Sequence, residues 1–180
     1  AALETCNIAG TGYTSRNCAF GCDAMNPACI PPPNEQCGAG AIDVSMGGVF
    51  TGTIEDYAND YNGNDCTGWS SNGSDAVYSI TGAIGDIVTV TLDTPFDGSV
   101  YAVTDCGDIA NTCIDGADDG GSTTVEVIEF IIRDTNPIYI IADTFSSSAS
   151  GTYTLTVTTQ VPDCTNYEQA ITCQADGTTL

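Results

Sequence analysis

The sequence predicts an all-β fold, an antiparallel jelly-roll-like β-sandwich with disulfide-stapled N- and C-terminal extensions. Three observations predict it. Apolar and polar residues alternate with period two in a series of short runs between residues 49 and 159. Clusters of Gly, Asn, Asp and Ser interrupt those runs about every ten residues, as turns between strands require. Ten Cys stand in a chain of 180 residues, mostly outside the alternating region.

Taken in order, residues 1–30 carry Cys6, Cys18, Cys22 and Cys29 with little hydrophobic periodicity, so cross-links must hold them. Residues 31–40, "PPPNEQCGAG" with Pro31, Pro32 and Pro33 at its start, read as an extended linker that holds the first segment away from the sandwich. The sandwich is expected over 41–160. "GGVFTGTI" is short and β-branched, and "DAVYSITG" sets Val77 and Ser79 against Tyr78 and Ile80. "DIVTVTLDT" puts Val88, Val90 and Leu92 inward and Thr89, Thr91 and Asp93 outward. "GSVYAVTDC", "TTVEVIEFIIR", "PIYIIADTF" and "GTYTLTVTT" complete seven or eight strands in two sheets, each with a Thr-rich face in water and an apolar face in the core. Residues 161–180 form a second tail with Cys164 and Cys173, where "TNYEQAITC" is the one run with helix-like spacing.

The charge is lopsided: 24 Asp and Glu oppose two Arg, with no Lys and no His, for a formal net charge of −22. Such a surface repels nucleic acid and anionic lipid. No apolar run approaches the roughly 20 residues of a membrane span. Without His or Lys, Ser-His-Asp, Cys-His and Ser-Lys relays cannot be built, so an enzyme is not expected. Paired-carboxylate chemistry is the surviving route, but Asp97, Asp105 and Asp143 flank separate strands and need not meet. The even Cys count, with no zinc-type spacing, reads as up to five disulfides in an oxidising compartment. The location expected is extracellular or cell-surface, after removal of a signal peptide.

Two acidic stretches could carry a site. "CIDGADDGG" gathers Asp115, Asp118 and Asp119 among glycines but lacks the alternating acids and terminal Glu of an EF-hand. It reads first as a solvated turn and second as a source of calcium ligands. "IEDYANDYNGNDC" sets Glu55, Asp56, Asp60 and Asp65 beside Tyr57 and Tyr61. It reads as a long polar loop, with calcium binding as the alternative. Tyr57, Tyr61 and Trp69 could form a ligand platform, although a Trp69 that caps one end of the sandwich is the simpler reading. Spacing alone does not fix connectivity. We expect Cys106–Cys113 because its six intervening residues form a compact loop, Cys37–Cys66 as a tie from the linker to the acidic loop, Cys164–Cys173 to close the C-terminal tail, and most simply Cys6–Cys18 and Cys22–Cys29.

"PPPNEQC", "AIDVSMGG", "NDCTGWSSNGSDAVYSI", "PFDGSVYAVTDCGDIANTC", "DGADDGGS" and "ASGTYTLTVTT", in this order over about residues 31–159, resemble a bacterial pre-peptidase C-terminal (PPC) domain of the secreted myxobacterial type. The resemblance implies an exported, non-catalytic jelly-roll-like sandwich of the kind that accompanies secreted hydrolases. Some such domains hold calcium through an acidic linker and a loop before a strand. The matching positions are Asn34, Glu35 and Asp75, although this linker holds a single acid and runs into Cys37.

Two functions follow as expectations. The favoured one is a secreted structural protein, a homopolymer subunit of an extracellular filament or surface assembly joined through its tails. The tails hold six of the ten Cys, which a binding module alone does not need. The alternative is a secreted binding module that accompanies a hydrolase and recognises an extracellular polymer, glycan or cell surface.

Overall fold

The computed structural model describes Phe20, Ile30 and residues 32–162. The expected pairs Cys6–Cys18, Cys22–Cys29 and Cys164–Cys173, and the helix considered over 165–173, lie outside the described residues.

Two sheets face each other. The first has five strands in the order β1 (Ile42–Asp43), β3 (Ala76–Ile80), β8 (Ile138–Thr144), β5 (Gly98–Val103) and β6 (Cys113–Ala117). The second has four, in the order β2 (Gly48–Thr53), β9 (Thr152–Gln160), β4 (Ile87–Asp93) and β7 (Val125–Ile131). Among the described residues every pairing is antiparallel except β1 with β3, which is parallel. Among the described residues helix is confined to single turns: a 3₁₀ turn at Ile54–Asp56, α1 at Asn64–Thr67 and α2 at Ile109–Thr112. No helix among the described residues is long and apolar enough to cross a membrane.

The period-two pattern decides which side chains meet. Val88, Val90 and Leu92 of β4 and Tyr153, Leu155 and Val157 of β9 are all at most 1 % exposed. They pack on Tyr78, Ile80 and Ile140 of the opposing sheet. Burying each aliphatic side chain of this size contributes roughly 1.5–3 kcal/mol. On the outer face of the four-stranded sheet, Thr89, Thr91, Thr154 and Thr156 are half-buried, while Thr51 and Thr158 are exposed.

The five-stranded sheet departs from the expectation of one wet face. Val77, Tyr101, Val103 and Ile141 on its outer side form a second apolar cluster, covered by Cys37, Ala41, Tyr61, Cys66 and Cys106. The cover comes from the linker and Ala41 after it, from the long loop before β3 and from the segment after β5. The linker is therefore no free spacer: Pro32 is buried, and the Val77 N–H donates to the Asn34 carbonyl (2.8 Å). Its backbone finds partners on the sandwich, which an extended Pro-rich segment in water would lack.

Two expected cross-links are corrected. Among the described residues the disulfides are Cys37–Cys106 and Cys66–Cys113, not Cys37–Cys66 and Cys106–Cys113. Between Cys106 and Cys113 the chain winds into α2, where the Thr112 hydroxyl hydrogen-bonds the Asp105 and Asp108 carbonyls (both 2.8 Å). Cys106 is thereby given to the linker, and Cys113, opening β6, to α1. Gly116 makes the second approach possible, since a Cβ there would lie 2.8 Å from the Cys66 carbonyl oxygen. β6 itself was expected to be part of a turn. Residues 113–117 instead pair with β5, and only Asp118 onward turns.

Candidate functional site

A trail of carboxylates crosses one end of the sandwich. It begins at Asp75, just before β3 and fully buried. Its Oδ2 accepts the Asp60 and Tyr61 N–H groups (2.8 and 3.0 Å), while Oδ1 is buried without a partner. Glu35 stands nearby in the linker. One of its oxygens accepts the Ala58 N–H (2.6 Å), and Oε2 is likewise buried and unpartnered. Burial pushes Asp75 up to about 7, against the pull of its two N–H donors, and the Asp60 and Glu35 charges add to the rise. Burial also raises Glu35, and again Asp60 contributes.

Asp143 of β8 continues the trail under the loop. It is 1 % exposed, accepts the Tyr101 hydroxyl at Oδ2 (2.9 Å) and takes the Thr144 N–H at Oδ1 (2.7 Å). Burial first, then the Asp75 charge, lifts it to about 8, with a lesser push from Asp118.

The trail ends at an open cleft of about 280 Å³ lined by Trp69, Asp97, Asp118, Asp119, Gly120, Gly121 and Phe145. Four separate segments build it. Trp69 follows α1, Asp97 lies in the β4–β5 turn, Asp118 to Gly121 follow β6, and Phe145 follows β8. Backbone bonds fix them together: Phe145 N–H donates to the Asp97 carbonyl (3.1 Å), and Asn72 N–H to the Phe145 carbonyl (3.2 Å). Trp69 is 61 % exposed and Phe145 46 %, so two aromatic faces stand in water. Asp118 rises to about 6 through burial and through the charges of Asp97, Glu126 and Asp119. Behind the cleft, Glu126 of β7 is 1 % exposed. Its Oε2 accepts the Asp119 N–H (2.8 Å), and its Oε1 has no partner.

The sequence-derived candidates divide accordingly. Glu35 and Asp75 come together, each with a buried bare oxygen. Asn34, from the same expected metal set, is 1 % exposed, and its amide oxygen accepts the Tyr57 hydroxyl (2.8 Å). That hydroxyl is linked through Tyr153 to Tyr78 in the core (3.3 and 2.7 Å). Calcium favours hard oxygen donors, and the bare oxygens of Glu35 and Asp75 fit it. Among the described residues no three Asp, Glu, Cys or His side chains gather closely enough to hold one metal, so further ligands at that point would be carbonyls or water. The expected aromatic platform is not formed as a trio: Tyr57 is in the core and Tyr61 half-buried, leaving Trp69 with Phe145. Asp97 and Asp143 do meet Asp118 electrostatically. Asp105 instead holds its own turn through the Gly107 N–H (2.8 Å). Asp115 closes the gap between the sheets by accepting the Glu129 N–H of β7 (2.9 Å). Phe145 and Glu126 were missed, although Glu126 stands in phase with Ile128 and Phe130, which is a signal of an inward acid.

No family model matches the chain, and no curated protein does. Among solved structures, the chain is similar to the pre-peptidase C-terminal domain of collagenase from Bacillus anthracis. That likeness has 12 % identity and a TM-score of 0.45, and covers 66 % of this chain and 94 % of that one. The chain is also similar to Aeromonas hydrophila PliG, a periplasmic lysozyme inhibitor of g-type lysozyme. There the identity is 11 % and the TM-score 0.42, with 67 % of this chain and 96 % of that one covered. Cys37–Cys106 and Cys66–Cys113 are disulfides of an oxidising compartment, outside the cell or in a periplasm.

Proposed function

We propose that this chain is an exported, non-catalytic recognition module that takes its ligand at the loop end of the sandwich. The observation that carries this reading is the exposed pair Trp69 and Phe145 beside an acid-lined cleft. Exposed aromatic rings give large contact area at little entropic cost, and convergent polar groups fix orientation. The chain's lack of His and Lys supports the non-catalytic part. The test is a binding panel of immobilised peptides, glycans and cell-wall polymers, read with the intact chain and with Trp69→Ala/Phe145→Ala. Retention by some member that the double variant loses, while keeping its circular dichroism, is the expected result. Equal retention of both proteins, or of neither, defeats the reading.

Calcium at Glu35 and Asp75 belongs to the same proposal as a structural ion. When bound, it would supply positive charge to a carboxylate pair that has none, and Asn34 would act only through the tyrosine network behind it.

A second reading, self-assembly into an extracellular polymer, is favoured by the edges of the four-stranded sheet. Among the described residues β2 and β7 each pair on one side only. They carry Val49, Val125 and Val127 at 66, 46 and 50 % exposure. An open edge accepts an incoming strand through backbone hydrogen bonds.

A further inference from the structure

The cleft between Trp69 and Phe145 contains charges of one sign. Asp97, Asp118 and Asp119 line it, and Glu126 sits behind Asp119 with one oxygen bare. No cation of the described chain answers them. Arg133 is the one Lys or Arg among residues 32–162. It lies past the far end of the seven-residue strand β7, and such a strand is roughly 20 Å long. An Arg133 at that distance is screened at ordinary ionic strength.

Size and shape narrow what can supply the missing charge. The space of about 280 Å³ would hold roughly nine waters at their liquid volume, far more than a bare ion needs. A calcium ion needs six to eight oxygens in one tight shell, and no three acidic side chains here gather to metal-holding distance. Two exposed rings add a surface that a hydrated metal ion does not use. A ring face attracts an organic cation, and guanidinium does so while its N–H groups donate to carboxylates. A quaternary ammonium has no N–H to donate and would leave Asp97, Asp118 and Asp119 without hydrogen bonds. On the rim, a Cβ at Gly121 would meet nothing within 4 Å, which leaves room for an approaching backbone.

We propose that this cleft binds an arginine or lysine side chain presented by a partner protein, stacked between Trp69 and Phe145 and held by Asp97, Asp118 and Asp119. The proposal rests on the recognition-module reading and names its ligand class. The buried Glu126 positions the Asp119 backbone and adds to the field that the cation neutralises.

Trp69 is the chain's single tryptophan, so its fluorescence reports on this cleft alone. The probe is the capped peptide Gly-Gly-Arg-Gly-Gly, titrated at low ionic strength beside Gly-Gly-Gln-Gly-Gly. The Arg peptide is expected to give a saturable change that weakens as salt shortens the screening length from about 30 Å to about 3 Å. The Gln peptide is expected to give none. Asp118→Asn should weaken the Arg response by about tenfold, the scale of losing one charged hydrogen bond. Phe145→Ala should weaken it while leaving the reporter in place, and Asp134→Asn, at the opposite end, should leave it unchanged. Identical responses to both peptides, or an Arg response indifferent to salt and to Asp118→Asn, overturn the cationic assignment. Silence toward both peptides up to about 10 mM, beyond the range of even weak specific binding, also overturns it. The recognition-module reading falls as well only if the wider panel retains the intact chain and the double variant alike, or neither.

Discussion

Asp75 and Asp143 are acids buried where neutrality suits the fold better than charge. Their folded values of about 7 and about 8 lie above the ordinary 3.8, chiefly through burial. Between these values the folded chain holds protons that the unfolded chain has released. Stability is then fully present below about pH 4 and is lost as pH rises through the folded values. Asp118, raised to about 6 by burial and then by the charges of Asp97, Glu126 and Asp119, acts in the same sense. Exposed Asp43, lowered by its bonds to Ser45, acts in the opposite sense only in more acid solution. The expected outcome, in chelator, is a melting temperature that falls steadily from about pH 4 to about pH 8, with a shallower fall for Asp143→Asn. The proposed calcium would bind the ionised form, so any stabilisation by it should grow over the same range and vanish in Glu35→Gln/Asp75→Asn. Differential scanning calorimetry across pH reads both. A melting temperature that rises with pH would refute the linkage, and one indifferent to calcium at pH 8 would refute the ion.

At the scale of elements, the disulfides join pieces that no sheet joins. Cys37–Cys106 closes a span of 69 residues and Cys66–Cys113 one of 47. In the chain-entropy account each restricts the unfolded state by roughly 4 kcal/mol. Both pin covering segments to the outer side of the five-stranded sheet, so Cys66→Ser/Cys113→Ser should uncover Tyr101 and Asp143 as well as lower the melting temperature. Non-reducing peptide mapping checks the pairing, and recovery of a Cys106–Cys113 peptide would contradict it. The strands of β4 and β9 were legible because Val and Leu alternate strictly with Thr. β6 was not, because "CIDGA" has no alternation and three poor strand formers; its pairing with β5 and its staple to α1 decide it. The disulfide partners were illegible for a related reason: they follow from which loops the sheet order stacks together, not from closeness along the chain. Trp69 and the acids of 118–119 could be singled out, but the cleft draws on four segments, and only the fold brings Asp97 and Phe145 beside them. Asn34, Glu35 and Asp75 were singled out through resemblance alone; that Asn34 is buried and accepts the Tyr57 hydroxyl was not legible in the motif.

For the whole molecule, charge and edges oppose one another. A formal charge of −22 on 180 residues keeps copies apart in dilute salt. The outer face of the four-stranded sheet is locally almost neutral, however. β4 and β9 present Thr there, β2 presents Val49 and Thr51, and Asp93 and Glu129 are the acids that interrupt the face. The long edge β7 has no strand partner on one side, where Asp115 takes the Glu129 N–H, and it carries valines on its outer surface. Lysine on such an edge is the device that blocks strand addition, and this chain has none. If copies associate through β7, assembly requires screening of the remaining charge. The intact protein should then be monomeric at low ionic strength with chelator and should form higher species at high salt with calcium. Val127→Lys should abolish those species without changing the fold, because residue 127 faces water. Multi-angle light scattering on the intact chain and the variant, followed by negative-stain microscopy of any large species, reads the result. A contact between unlike surfaces would appear as open filaments, and one between like surfaces as a dimer that stops there. A monodisperse monomer under the associating conditions would remove the polymer reading and leave each copy to act alone through its cleft.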